Sequence, residues 1–150
     1  MPCTEWSKLN PLQLGRYAEY YAKMEFASYG FEVYTSEVDD RGIDFICRRN
    51  GILFEVQVKA VRNMNYTFIT KRQMDIEIKE RLICLLRFED GNLPDVYLIP
   101  AIAWKTPTAL LRGKDFEGKK SEPEWGINIS MKNMPLLNEF KMSKWLTSFM

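Results

Sequence analysis

Two stretches of this sequence bring together residue types that can hold a cation and move a proton. The segment ILFEVQVKAV, 52–61, alternates apolar and polar residues, so it reads as a β-strand with two faces. Phe54, Val56, Val58 and Ala60 share one face; Glu55, Gln57 and Lys59 share the other. Gln57 and Lys59 would then point the same way, about 6.6–6.8 Å apart along the strand. Upstream, in RGIDFI, Asp44 can join that polar face if it stands near the end of the neighbouring strand. A carboxylate and an amide are hard oxygen donors suited to a divalent cation, with backbone carbonyls and water completing the shell. A lysine beside them can orient or deprotonate a water and offset charge on a phosphate. A polar face is equally what any half-exposed antiparallel strand shows, so periodicity alone leaves a solvated face open.

Glu19 is the fourth candidate. At helical spacing its neighbours are Gly15, Ala22 and Phe26, with Ala18 beside them. Small and apolar residues mark a helix face that approaches the rest of the protein. A carboxylate there needs a cation, because burying it alone is costly. The alternative is a boundary glutamate paired with Arg16 or Lys23.

Several chemistries are excluded by composition. The chain has 150 residues, the size of one domain, and no histidine. Ser-His-Asp and Cys-His catalysis and His-ligated zinc are therefore absent. Cys3, Cys47 and Cys84 are too few and too far apart for a zinc ribbon or a Cys-x-x-Cys pair, and fit reduced, mostly buried thiols. No Gly-rich phosphate loop is present. No apolar run approaches the roughly 20 residues a bilayer needs, and no secretory leader is visible, so no membrane association and a cytoplasmic location are expected. Net charge is +1, so any nucleic acid must meet segregated positive charge or an oligomer.

The elements that must position these residues follow from local signals. Asn10, Pro11 and Gln13 predict a capped helix over 10–29, stopped by Gly30. Strands are expected over 31–36, 43–49 and 52–61, with an acidic turn over 37–42 and an Asn50-Gly51 hairpin turn. Thr70 can cap a helix over 71–80. RLICLLRF, 81–88, is a nearly continuous apolar run, expected to be a strand covered on both sides and parallel to the third. A strand over 96–100, a helical turn over 100–104, a loop over 114–124, a strand over 126–130 and a terminal helix from Asn133 and Pro135 complete the reading. Leu137, Phe140, Trp145, Leu146 and Phe149 would form that last helix's docking face. The expected fold is α/β (α+β): a mixed central sheet flanked by helices, in one domain spanning the chain.

At Glu19 in LGRYAEYYA, Asp44 in RGIDFI and Gln57-Val58-Lys59 in EVQVKA, the sequence resembles the PD-(D/E)XK nuclease superfamily. The resemblance covers 14 to about 100 and implies an αβββαβ core. The proline that usually precedes the aspartate is Ile43 here, and the usual second acid is Gln57. The Gln form and small size look most like cyanobacterial group I intron-encoded homing endonucleases. The resemblance implies hydrolysis of double-stranded DNA, with Asp44, Gln57 and Glu19 holding Mg2+ (for which Mn2+ can stand in) and Lys59 positioning the attacking water. Glu55 is a possible substitute ligand. It also implies a homodimer or homotetramer. Other readings on the same scaffold are a restriction- or repair-type nuclease and an inactive nucleic-acid-binding module. Expected DNA contacts are Arg41, Arg48, Arg49, Arg62, Lys71 and Arg72, with Asn63, Asn65, Tyr66, Thr70 and Gln73 near base edges; Lys105, Lys119 and Lys120 are further phosphate candidates.

Overall fold

The computed structural model describes residues 1–35 and 42–149, with the side chains of 148 and 149 left aside. Arg41, most of the expected acidic turn and the side chain of Phe149 lie outside the described residues. A 3₁₀ turn, Trp6–Lys8, precedes helix α1, Pro11–Ser28. The capping box forms as expected: Asn10 Oδ1 accepts from the Gln13 N–H at 2.8 Å, and Gln13 Oε1 accepts from the Asn10 N–H at 2.9 Å. Gly30 ends the helix at φ +87°, with the Phe31 N–H donating to the Phe26 carbonyl at 3.2 Å. The rings of Phe26 and Phe31 then meet edge to face, centroids 5.2 Å apart, closing the hydrophobic contact such a stop usually carries.

Strands β1 (Glu32–Thr35), β2 (Phe45–Arg49) and β3 (Ile52–Arg62) follow as an antiparallel meander. The turn between β2 and β3 holds Asn50 and Gly51 at φ +53° and +77°, the left-handed pair that the Asn-Gly dipeptide favours. After β4 (Tyr66–Thr70) come β5 (Arg81–Phe88) and β6 (Asp95–Pro100). A 3₁₀ turn, Ala101–Lys105, then leads to β7 (Leu111–Lys114), β8 (Glu124–Asn128), α2 (Met134–Asn138) and α3 (Met142–Phe149).

Two sheets result. The main one runs β1-β2-β3-β5-β6, with β3 and β5 parallel and its other pairings antiparallel. The second runs β4-β8-β7, all antiparallel. One core cluster lies between α1, α3 and one face of the main sheet, with Leu14, Ala18, Ala22 and Phe26 against Phe45, Val56, Leu82 and Leu86. The other lies on the opposite face, where Ile83, Leu85 and Ile99 meet Ile69, Leu111 and Ile127 of the second sheet. Every residue of β5 is buried, as its apolar run implies for a strand covered on both sides.

Three expectations need correction. The segment 71–80 is not a helix: only Lys71–Gln73 makes a 3₁₀ turn. Asp75 Oδ1 takes the Glu77 N–H at 2.9 Å, a local turn that competes with helix hydrogen bonds. The β-branched Ile76 and Ile78 add to the cost of a helix there. The crossover from β3 to β5 is therefore made by β4 and this turn rather than by a helix. The late strand starts at Glu124 rather than 126 and pairs on both sides, with β4 and with β7, a strand that includes Lys114, the first residue of the expected loop. The terminal helix is split in two, with Lys141 bridging to Tyr97 between the halves.

Candidate active site

The third strand carries its polar residues inward, not to solvent. Gln57 and Lys59 register with Ile83 and Leu85 of β5, both in the cluster beneath the second sheet. Gln57 is only 6% exposed, and Lys59 and Glu55 are half-buried, so this face is an interior recess. Burial pushes the Lys59 ammonium below its ordinary 10.5, while the charge of Asp44 pulls it back up. A lysine held this way has its neutral amine form brought closer to physiological pH.

Asp44 stands just before β2, where β2 and β3 part. Its N–H still donates to the Val56 carbonyl at 2.9 Å. Its Oδ2 then accepts from the Val58 N–H at 2.7 Å, taking the place of the next backbone partner. The carboxylate is thereby fixed against the backbone of β3 at Val58, close enough for its charge to act on Lys59. Asp44 and Glu19 line one cavity of about 260 Å³, together with Pro11, Gly15, Arg16 and Val58. Nothing lies within 4 Å of the position a Cβ would take at Gly15, so the missing side chain opens this cavity. Glu19 pairs with Lys23 at 3.2 Å, the boundary pairing left open by its helical spacing.

Gln57 is held from two sides. Arg81 Nη2 donates to its Oε1 at 3.4 Å, and Gly42 covers its amide. Gly42 has φ +70°, and a Cβ there would stand 3.0 Å from Gln57 Nε2. The backbone at Gly42 thus favours glycine, and any side chain there would press on the Gln57 amide. Arg81 is 3% exposed; it also donates to the Gln73 carbonyl at 2.9 Å, and its Nη1 is 4.0 Å from Glu55 Oε1. Burial lowers its pKa, and Glu55 and Asp44 raise it. Sequence reasoning missed Arg81. The available signal was a cation opening a strand otherwise destined for burial, where a charge requires partners.

The oxygen donors that a metal could use are the Asp44 and Glu19 carboxylates, which line one cavity, and the Gln57 amide oxygen, which faces the second sheet and does not line that cavity. Such a set fits a hard divalent cation that keeps several waters. Among the described residues no group of three or more Asp, Glu or Cys side chains gathers for a metal. With a guanidinium on Gln57, the fit is to a weakly held ion.

The expected DNA contacts are scattered. Arg48 pairs with Glu32 at 3.0 Å and Arg49 lies against Phe31; both sit at the hairpin tip, the far end of β2 from Asp44. Arg62 donates to the carbonyls of Trp6 and Leu9, anchoring the N-terminal segment. Asn63, at φ +52°, and Asn65 turn the chain from β3 into β4. Tyr66 donates to Glu124. Lys71 pairs with Asp115 at 2.8 Å, Arg72 with Glu122 at 3.0 Å and Lys105 with Glu77 at 2.6 Å. The Gln73 carbonyl receives Arg81, and Thr70 closes β4. Lys119 and Lys120 are exposed in the loop between β7 and β8.

No family model matches the chain, and no curated protein does. Among solved structures, the chain is similar to Hjc, a Holliday junction resolvase from the archaeal hyperthermophile Archaeoglobus fulgidus. The TM-score is 0.57 at 12% identity, over 89% of this chain and 95% of that one. The chain thus shares its α+β fold, with a mixed central sheet, with that resolvase. Among the described residues no helix is long and apolar enough to cross a membrane.

Proposed function

We propose that this protein is a divalent-metal-dependent endonuclease that hydrolyses phosphodiester bonds in double-stranded DNA. The observation that carries the reading is the placement of Asp44 beside a lysine whose ammonium is destabilised by burial, at the split between β2 and β3. Its support from outside the chain is the fold shared with a DNA junction resolvase.

In this reading Asp44, Gln57 and Glu19 would hold Mg2+, with Mn2+ able to replace it, and the bound ion would supply Lewis acidity at the scissile phosphate. Lys59 holds the attacking water and, as neutral amine, takes its proton. The amine becomes ammonium and then offsets the charge on the phosphate oxygens. Asp44 orients Lys59 through its field, and the Val58 N–H fixes that carboxylate. Glu19 faces the entry cavity, where it is held by Lys23 and would have to share its carboxylate with a bound cation.

The finer proposal is a site-specific, homing-type enzyme acting as a homodimer or homotetramer. It rests on the Gln57 variant and on the need to concentrate charge in a chain of net +1. The fold likeness favours a second reading, cleavage of branched DNA. Incubation with a library of linear duplexes and with a four-armed junction, with and without Mg2+, followed by end mapping, separates these. Discrete cuts in linear duplex support the homing reading, and cuts confined to the junction support the other. No metal-stimulated cut in either substrate would sink both, leaving an inactive binding module. Light scattering on the purified protein tests the subunit number.

A further inference from the structure

The second sheet has an outward face that the site does not use. In its ladders Tyr66 stands opposite Asn128, Phe68 opposite Gly126, and on the other side Arg112 opposite Gly126 and Lys114 opposite Glu124. Partners across an antiparallel ladder share a face. The alternate residues Ile69, Ile127 and Leu111 are buried in the core, so this set points away from it.

Its composition is unusual for a solvated sheet. Phe68 is 44% exposed and Tyr66 37%, and their rings lie 6.2 Å apart at 27°. The Lys114 ammonium sits 4.3 Å over the Tyr66 ring. Gly126 lets that ring lie flat, since a Cβ there would collide with it. Glu124 is the sole acid in the three strands, and it is buried and hydrogen-bonded by Tyr66. Among the described residues neither Arg112 nor Lys114 has an ion-pair partner, in contrast to Lys71 and Arg72 at the sheet's edge. The face therefore presents two cations outside any ion pair, around two aromatic rings and an amide, with its one acid, Glu124, buried and bound by Tyr66.

We propose that this face docks in the major groove of duplex DNA, Arg112 and Lys114 meeting phosphates and Phe68 and Asn128 meeting base edges. The proposal rests on the nuclease reading and gives it a recognition surface. An asparagine amide matches adenine and a phenylalanine ring matches a thymine methyl in that groove. The groove, about 12 Å wide, takes a two-stranded ribbon; β4 and β8, about 4.8 Å apart, carry Phe68 and Asn128 into it, and the outer strand β7 brings Arg112 and Lys114 to the flanking phosphates. The face is also wired to the catalytic strand. β4 leaves β3 after a short turn, and the Gln73 carbonyl just beyond β4 receives Arg81 Nη2, the same nitrogen that donates to Gln57 Oε1.

The test is anisotropy with a mixed-sequence duplex of about 30 base pairs in EDTA, titrated across salt. Compared are the parent, R112Q/K114Q, F68A and a control, K8Q/K144Q, that removes the same charge elsewhere. Thermal melts confirm that each is folded. R112Q/K114Q is expected to flatten the log–log salt slope by about 1.8 and weaken binding about tenfold, with the control unchanged. F68A is expected to weaken binding with the slope unchanged. If the slope of R112Q/K114Q equals the parent's, or the control moves as much, the docking face is wrong while the nuclease reading stands. If the parent binds no duplex at any salt, both fall together. If it prefers single strands in a way that depends on Phe68, the rings are a stacking platform and groove docking is overturned.

Discussion

Gln57 shares its amide oxygen with a guanidinium: Arg81 Nη2 lies 3.4 Å from Oε1, in a recess where both residues are under 10% exposed. This contact accounts for an amide at a position where an acid is the resemblance's norm. A carboxylate there would pair with Arg81 and turn its charge away from a metal.

The expected outcome of Q57E is thus counter-intuitive. Alone, it should change the apparent Mg2+ requirement for cleavage by less than about twofold, because the new charge is neutralised in place. With R81Q added, the freed carboxylate should lower that requirement by about tenfold, or ~1.4 kcal/mol. A Mg2+ titration of the two variants checks this. Q57E alone producing the full gain would show that Arg81 does not control the amide.

A second prediction concerns Lys59. Its pKa is lowered by burial and raised by Asp44, so D44N should lower it further. NMR titration of the Lys59 ε-methylene reads this directly, and an upward move would contradict the assignment. K59M should abolish cleavage while duplex binding persists. It should also stabilise the fold, because the folded state disfavours the ammonium that the unfolded chain accepts. That gain is full at pH below the lowered folded pKa. It fades as pH rises through that value toward 10.5, where the unfolded lysine also loses its proton. Melting curves of parent and K59M across that range provide the check.

Where local chemistry decides, the sequence is a sufficient guide. Asn10 with Gln13, Gly30, and Asn50 with Gly51 each carry their own geometry, and the structure places them as their types demand. The doubly covered β5 is legible for the same reason, since its eight residues leave no solvent face. Of the second sheet only β8 is foreseen, and that in part; its other strands are short, one broken by Gly113, and stabilised by pairing distant segments. A helix over 71–80 looks reasonable until Asp75 spends its side chain on a turn. The polar face of β3 shows the same limit at the site. Alternation separates Gln57 and Lys59 from Val56 and Val58, but only the covering layer makes that face a recess rather than a surface.

The cysteines give a third prediction. Cys47 and Cys84 are fully buried, and burial pushes the Cys47 thiol up to about 12 and the Cys84 thiol up as well. Cys3 is exposed. A thiol reagent at mildly alkaline pH should therefore modify one cysteine rapidly in the native protein and all 3 after denaturation. Rapid native reaction of a second thiol would mean that the first core cluster opens readily. C3S should react only on the slow, unfolding-limited phase.

Gly15 separates stability from access. It lies inside α1, where glycine costs roughly 0.5–1 kcal/mol relative to alanine. The position meets nothing within 4 Å, so G15A should raise stability by about that amount, with no clash to offset it. The same opening forms the wall of the cavity that Glu19 and Asp44 share. A phenylalanine would fill it. G15F is thus expected to fold, to melt near the parent and to cleave at least about tenfold more slowly, with the loss in the Mg2+ requirement or kcat rather than in duplex affinity. Cleavage by G15F at the parent rate would show that the scissile phosphate does not enter by this cavity. The route would then lie on the recess side of β3, beside Lys59, and Glu19 would take no part in holding the metal.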